Sequence, residues 1–370
     1  MNKIYKRNKG ITLIALVVTI VMLLILATVT INMTLINNGI FGRAKNAADT
    51  YKQAESNESS SLNDLATTID TLGRAKITTV ANGKGEDILS TTDNTAITDD
   101  NGNTVTIPAG FKIASDSATK QEDGIVIEDK DGNQYVWIPV ADIANYKRTD
   151  FGKNSPSTYS SFSETLVSDE QTSVGTYHGY YIGRYEAGDV TSTASKILRA
   201  SGASITNTVS IKKGQIPYDY VTRNQANTLA TGIKSTESYN ATTKLCSSYA
   251  WDTALNFIQN KVSNYATTSP QGNYRDTTFN YHDINGLLQT KANGADILIP
   301  TGETTAVCNI YDMGGNDWEW TTEECSGSSP YVGRGGSLGY IYAGDPSGFR
   351  VYASTTAEGE TISFRVTLFM

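Results

Sequence analysis

Residues 311–320 read YDMGGNDWEW, the most distinctive stretch of this 370-residue chain. Two shorter stretches follow it in order: GRGGS at 333–337 and SFRV at 363–366. Trp318 and Trp320 are most simply core anchors, because aromatic side chains of this size contribute strongly when buried. Each stretch is a weak signal alone. Together, in this order, they are specific enough to decide the fold expected for the larger part of the chain.

This order is similar to the domain shared by formylglycine-generating enzymes, the sulfatase-modifying factor family, which has a C-type-lectin-like fold. Two earlier elements fit that family in the correct order: YIGRYE at 181–186 and a helix beginning at Trp251. The resemblance covers residues 124–370 and is densest after Cys308. It departs from the family at 299–303, where IPTGE replaces a Leu-Pro-Thr-Glu-Ala-Glu-Trp stretch. The resemblance implies a lectin-like head over 124–370.

The local patterns predict an α+β body. Alternating apolar runs flank the turn residues Asp100 to Gly102 and the dipeptide Asp131-Gly132, and both arrangements indicate β-hairpins. Residues 251–262 carry apolar side chains at helical spacing. Strands, short helices and long loops do not alternate as in an α/β protein. Residues 74–123 are interpreted as a connector that contains the first hairpin.

The amino end predicts a membrane-spanning helix over 11–36. No charged residue occurs between Gly10 and Gly42. About 20 apolar helical residues cross the hydrocarbon layer of a bilayer. Before this stretch lies a basic tip, which favours a cytoplasmic amino end; it consists of Lys3, Lys6, Arg7 and Lys9.

The start of the chain, KGITLI at 9–14, resembles a type IV prepilin. The resemblance implies a leader over 1–10, cleavage after Gly10 by a prepilin peptidase, methylation of the new amine on Ile11, and contacts with other pilin subunits. Ala15 departs from the family, which usually has glutamate there. An uncleaved signal anchor and a secretory signal peptide are the alternatives, although the apolar run is long for a signal peptide.

Residues 37–73 predict an amphipathic stalk helix. The NNG sequence at 37–39 favours a bend or break, and Gly73 favours a stop. Between them, apolar residues recur at three- and four-residue steps on one face. The polar run 55–61 leaves a fully solvated stalk as the alternative.

Charge and cysteine content narrow the function classes. The net charge is −8, and loss of the four leader cations would make it −12, so nucleic acid is a poor partner. Three cysteines allow one disulfide at most in an exported protein. All three pairings are open, and Cys308 with Cys325 is the first candidate because this pair flanks the distinctive stretch.

The residues do not indicate catalysis. Formylglycine-generating enzymes bind copper through two cysteines after the Arg-Gly-Gly-Ser motif, whereas residues 334–370 contain no cysteine. Related sulfoxide synthases hold iron with histidines, and the only histidines here are His178 and His282, in unrelated contexts. No nucleophile motif singles out another residue. We therefore expect neither an enzyme nor a redox cofactor.

The carboxyl-terminal segment 334–370 is expected to face a ligand. Tyrosine with serine and glycine is typical of binding surfaces. The segment is similar to those of ligand-binding proteins that retroelements diversify on a lectin-like scaffold. The expected ligand-facing residues are Ser337, Leu338, Tyr340, Tyr342, Asp345, Phe349, Tyr352 and Ala353; the alternative is that Phe349 and some of the tyrosines belong to the core.

The resemblance also implies a structural calcium site in the distinctive stretch. Calcium prefers six to eight oxygen ligands. The expected ligand residues are Asp312, Gly315, Asp317 and Glu319. The alternative is that Glu319 pairs with a buried arginine, Arg365 or Arg334, and holds no ion.

Two functions remain. The first is an adhesin-like module, displayed on the bacterial cell surface by its amino-terminal helix, which recognises an unknown protein or cell-surface ligand. The second is a structural minor pilin or pseudopilin of a type IV pilus or of a type II secretion-like filament.

Overall fold

The computed structural model describes residues 13–35, 40–73, 77–155, 158–190, 202, 204–205, 209–234 and 240–370. The chain divides into two compact units, Met1–Lys76 and Ile77–Met370. The expected connector therefore ends early, because everything from Ile77 onward belongs to the second unit.

Helices account for most of the described part of the first unit and for a smaller share of the second. They are α1 (Leu13–Leu35), α2 (Ile40–Gly73), α3 (Val80–Gly83), α4 (Ser168–Tyr177), α5 (Arg223–Ile233) and α6 (Ser248–Gln259).

The strands all lie in the second unit. In chain order they are β1 (Thr95–Thr98), β2 (Thr104–Ile107), β3 (Phe111–Ile113), β4 (Val126–Asp129), β5 (Gln134–Pro139), β6 (Asn154–Ser155), β7 (Phe162–Ser163), β8 (Gly179–Gly183), β9 (Gly188–Asp189) and β10 (Val209–Ser210). They continue with β11 (Ile216–Pro217), β12 (Thr242–Leu245), β13 (Phe279–His282), β14 (Leu288–Lys291), β15 (Trp318–Cys325), β16 (Tyr331–Arg334), β17 (Arg350–Ala353), β18 (Ile362–Phe364) and β19 (Val366–Phe369).

Helix α1 is uncharged, and its residues Leu13–Ile31 are long and apolar enough to cross a membrane. The hydroxyls of Thr19, Thr28 and Thr30 bond within the helix and so do not interrupt its apolar character. Thr19 donates to the carbonyl of Ala15 at 2.7 Å, and Thr28 donates to that of Leu24 at 2.6 Å. Such internal bonds satisfy a polar group in lipid. The helix therefore has the properties of a membrane anchor or a signal sequence.

Helix α2 is long and ends at Gly73, the residue that the sequence predicts as its stop. The predicted bend at 37–39 lies outside the described residues. The predicted processing residues Gly10 and Ile11 lie outside them as well.

The second unit is built on an antiparallel sheet with the strand order β12-β19-β8-β5-β4-β3. Both faces of this sheet are covered. Trp137 in β5 packs into one apolar cluster together with α5, while its neighbour Val136 packs into a second cluster together with α6. This alternation follows from the period of two in a strand. Because β3 belongs to the sheet, residues 111–113 are part of the body and not of a connector.

A second sheet has the order β18-β15-β16-β17-β6, with β7 beside β15. Strand β18 runs parallel to β15, and β6 runs parallel to β17, while β15, β16 and β17 are antiparallel. The unit therefore combines an antiparallel sheet and a mixed sheet with a few helices, in agreement with the predicted α+β class.

Two predicted hairpins are confirmed and the predicted disulfide is wrong. Strand β1 pairs with β2, and β4 pairs with β5, each through a turn whose glycine, Gly102 or Gly132, has φ +82°. Cys246, Cys308 and Cys325 are all buried free thiols. Cys308 instead donates to the carbonyl of Glu122.

Two glycines of similar backbone conformation test how tightly the second unit is packed. Gly124 has φ +86°, and a Cβ there would lie 2.0 Å from the carbonyl oxygen of Cys308. Gly102 has φ +82° and open space around it. We expect Gly102→Ala to lower the free energy of unfolding by about 1 kcal/mol through backbone strain alone. Gly124→Ala should cost about 2–4 kcal/mol, because the clash adds to the strain.

Urea titration of the full chain in detergent measures both losses. Tryptophan fluorescence reports on the second unit, since all four tryptophans lie there. Equal losses for the two variants would contradict the close approach at Gly124.

Candidate functional site

The second sheet has two chemically different faces. Its register pairs Glu319 with Arg334 and Trp320 with Gly333. Side chains alternate along a strand, so tryptophans and charges point to opposite sides. A Cβ on Gly333 would lie 3.3 Å from Val351 and 3.6 Å from the Cβ of Trp318, which places these residues on the tryptophan side.

Three aromatic side chains meet on the tryptophan side. The ring of Trp318 lies 5.7 Å from that of Tyr340 and 5.5 Å from that of Phe349. Trp318 is only 7% exposed, whereas Tyr340 and its neighbour Ile341 are each 50% exposed. We call Trp318, Tyr340, Ile341 and Phe349 the aromatic face. Trp318 lies on the paired strand β15, whereas the other three residues belong to the loop between β16 and β17.

The predicted ligand-facing residues divide into three groups by exposure. Tyr340 and Tyr352 are exposed; Tyr342, Asp345, Phe349 and Ala353 are half-buried; Ser337 and Leu338 are buried.

Placing Ser337 and Leu338 on the ligand side is wrong, because both belong to the interior. The amide of Leu338 donates to the carbonyl of Asn316 at 2.8 Å and fixes this loop to the distinctive stretch. Tyr352 is exposed, but it alternates with Val351 and so points to the opposite side of the sheet. The eight residues therefore do not form one surface.

The end of the predicted ligand-facing segment 334–370 is also buried. Strand β19 pairs with β12 on one side and β8 on the other, and all four of its residues are buried. A central strand cannot present a binding face. The open part of the segment therefore ends near β18.

Charges on the other side of the sheet form a closed cluster. Arg334 contacts Asp252 at 2.6 Å and Glu323 at 3.3 Å. Arg350 contacts the same two carboxylates at 2.5 and 3.0 Å. All four side chains are fully buried, and Arg148 reaches Glu323 from the edge. Buried charges are tolerated when they are paired in this way.

Glu319 pairs with a buried arginine, as the alternative reading of the sequence expected. Both of its carboxylate oxygens accept from Arg365, at 2.8 and 2.6 Å. Arg365 also donates to the carbonyls of Gly183 and Tyr311, each at 2.9 Å. The guanidinium therefore joins the second sheet to β8 of the first.

Two of the other expected calcium ligands also make bonds within the protein. Asp312 accepts from the amide of Gly302 and the hydroxyl of Thr304, each at 2.7 Å. Gly315 uses its amide to bond the carbonyl of Gly335 at 2.9 Å. Within the described ranges, no three carboxylate, histidine or cysteine side chains are placed to hold a metal ion. The carboxylates of Asp312 and Glu319 therefore already have partners, and the calcium site stays a prediction.

Asp317 is different from its neighbours. It is fully buried, and neither of its carboxylate oxygens has a hydrogen-bond partner among the described residues. Burial raises its pKa well above the ordinary value, and the nearby carboxylates of Asp219 and Glu319 raise it further. Glu186 lies in the same acidic interior, and burial raises its pKa in the same direction. Burial without a countercharge favours the protonated form of a carboxyl group.

A cavity of about 720 Å³ lies elsewhere in the second unit. Its walls come from residues 163–170, α5, β12, the start of α6 and the end of β15. The sequence analysis missed it, since these segments are far apart in the chain. Only the fold brings them together.

No known protein family and no curated protein matches this chain. Among solved structures, it is similar to variable protein 1 of Treponema denticola, with 13% identity, a TM-score of 0.36 and coverage of 65% of this chain and 96% of that one. It is similar to PvdO from Pseudomonas aeruginosa, with 15% identity, a TM-score of 0.40 and coverage of 66% and 98%. For CarF the identity is 14%, the TM-score 0.32 and the coverage 52% and 87%. TM-scores below 0.5 do not establish a shared fold, so the lectin-like architecture stays a prediction.

Replacement of Asp317 tests whether its carboxyl group is buried without a partner. Asp317→Asn keeps the shape and removes the ionisable group, so we expect the free energy of unfolding at pH 7.5 to rise by about 1 kcal/mol or more. The raised pKa makes the wild type most stable in acid, with stability lost as the pH rises above 3.8. The advantage of the variant should therefore grow from pH 4 to pH 8.

Asp312→Asn is the matched control in urea titrations at each pH. Asp312 is as deeply buried but accepts two hydrogen bonds, so its replacement should lower stability. A loss of stability in both variants would show that Asp317 has a partner. Added Ca²⁺ should leave both titrations unchanged. A calcium-dependent rise in the free energy of unfolding would support a metal site.

Proposed function

We propose that this protein is a non-catalytic, adhesin-like binding protein of the bacterial cell surface, which recognises a protein or cell-surface ligand through its aromatic face. The observation that carries the proposal is the half-exposed Tyr340 together with Phe349 against the ring of Trp318, with the half-exposed Ile341 next to Tyr340 in the chain. Aromatic side chains offer a large contact area at a small entropic cost. A rigid strand beneath them reduces that cost further.

A lectin-like head is part of the proposal. It is supported by the way the sheet assembles the three distinctive stretches of sequence. Trp320 in the first stretch pairs with Gly333 in the second and with Phe364 in the third. Glu319 and Arg365 then join the first and third stretches by an ion pair. Residues up to 46 positions apart thus form one local unit, which explains why they occur together.

A pilin-type anchor is the second part of the proposal. Helix α1 has the length and composition to hold the protein at a membrane. The preceding basic leader supports processing after Gly10 by a prepilin peptidase. Ala15, in place of the usual glutamate, favours a displayed binding protein over a major filament subunit.

Substitution of exposed residues on the aromatic face tests the binding role. Tyr340→Ser combined with Ile341→Ser removes two half-exposed side chains from this surface. We expect bacteria that display this variant to lose at least tenfold in adhesion to the host-cell or matrix surface that captures the wild type. Central aromatic residues commonly contribute 2 kcal/mol or more to binding.

Tyr352→Ser is the matched control, because Tyr352 is 37% exposed on the other side of the same sheet. Its adhesion should stay within about twofold of the wild type. Melting temperatures of all three proteins should agree within about 2 °C. Equal adhesion by the double variant and the wild type would contradict a binding role for the aromatic face.

A further inference from the structure

The 720 Å³ cavity is a separate feature from the aromatic face, since the two share no residue. Its volume lies within the range of about 300–1,000 Å³ that small-molecule sites occupy. Its lining mixes apolar and polar groups, as a ligand site does. The charges that face it decide what it could hold.

Glu164 carries the central charge of the cavity. Its carboxylate accepts from the amide of Ser248 at 2.7 Å and from the hydroxyls of Ser248 and Thr322. These three donors fix its position. In the described part of the chain, no lysine or arginine forms an ion pair with it. A fixed, largely enclosed carboxylate without a countercharge favours the arrival of a cation.

The lysines near the cavity already have carboxylate partners. Lys244 lies 2.5 Å from Asp169 and 3.9 Å from Glu170. Lys234 is buried and lies 2.7 Å from Asp129. Neither lysine is therefore available to neutralise Glu164. The cavity keeps an excess of negative charge.

A tyrosine lines the same cavity as this carboxylate. Tyr249 lines the cavity, is half-buried, and donates its hydroxyl to the backbone carbonyl of Glu164 at 3.4 Å. A cavity lined by both a carboxylate and an aromatic ring suits an ammonium group, which is attracted by the negative charge and by the ring face.

We propose that the cavity binds the ammonium group of an alkylamine, with the carboxylate of Glu164 as its counterion and the ring of Tyr249 beside it. Burial raises the pKa of Glu164 to about 7, although hydrogen bonds from Ser248 and Thr322 lower it. A bound ammonium group supplies the missing positive charge. The amine is either a free small molecule or the side chain of a lysine in a peptide.

Isothermal titration calorimetry on the full chain in detergent tests the proposal with named probes. At pH 8 we expect cadaverine to bind at least tenfold more tightly than 1,5-pentanediol, and glutarate not to bind, because only the first carries ammonium groups. Nα-acetyl-lysine methylamide, which keeps its side-chain ammonium group, represents a lysine in a peptide. If it binds more tightly than cadaverine, the ligand is a lysine side chain. If it binds more weakly, the ligand is a free amine.

Variants connect the binding to the named residues. Glu164→Gln should lower the affinity for cadaverine at least tenfold. Glu324→Gln is the matched control, because Glu324 lines the same cavity but is 61% exposed, and it should change the affinity by less than threefold. Tyr249→Leu leaves the hydrogen bonds of Glu164 with Ser248 and Thr322 in place, and it should lower the affinity for cadaverine severalfold.

The melting temperature of each variant shows whether it folds. If Glu164→Gln does not fold, Tyr249→Leu still tests the proposal. Equal affinity for cadaverine and pentanediol would overturn the proposal. Unchanged cadaverine affinity in the folded variants would overturn it too.

Discussion

Buried arginine–carboxylate pairs are the constraint on which the second unit depends. Arg365 holds Glu319 with two hydrogen bonds and reaches across to β8, so one guanidinium fixes the second sheet against the first. Arg334 and Arg350 share Asp252 and Glu323 behind the same strands. Loss of one partner from such a pair costs about 3–5 kcal/mol, because the other charge is left buried alone.

This constraint gives the two sides of the second sheet different roles. On the charged side, the buried cluster of Arg334, Arg350, Asp252 and Glu323 is closed, because each of these charges has its partners there. The tryptophan side is left to carry apolar groups, and it ends in Tyr340 and Ile341 at the surface. A recognition surface gains affinity when the structure beneath it does not have to become ordered on binding. The proposed binding role therefore follows from the ion pairs as much as from the aromatic residues.

The sequence predicts the local elements of this structure well, and its long-range contacts only in part. Turn chemistry located the hairpins at Gly102 and Gly132, because a positive φ is a local requirement. The Glu319–Arg365 pair was one of two alternatives, since residue types suggest an ion pair without choosing the partner. The burial of Ser337 could not be read from composition, because small polar residues are equally common in loops and interiors. The Glu164 cavity depends on segments that only the tertiary fold brings together.

Native-state hydrogen exchange of the full chain, read by mass spectrometry, tests the central claim most directly. If the buried ion pairs hold the second sheet as one rigid body, amides of β15, β16 and β17 exchange only through global unfolding of the second unit. Their opening free energies should then agree with the free energy of unfolding from urea titration within about 1 kcal/mol. Exchange of β15 and β17 through local openings several kcal/mol less costly than global unfolding would contradict the account.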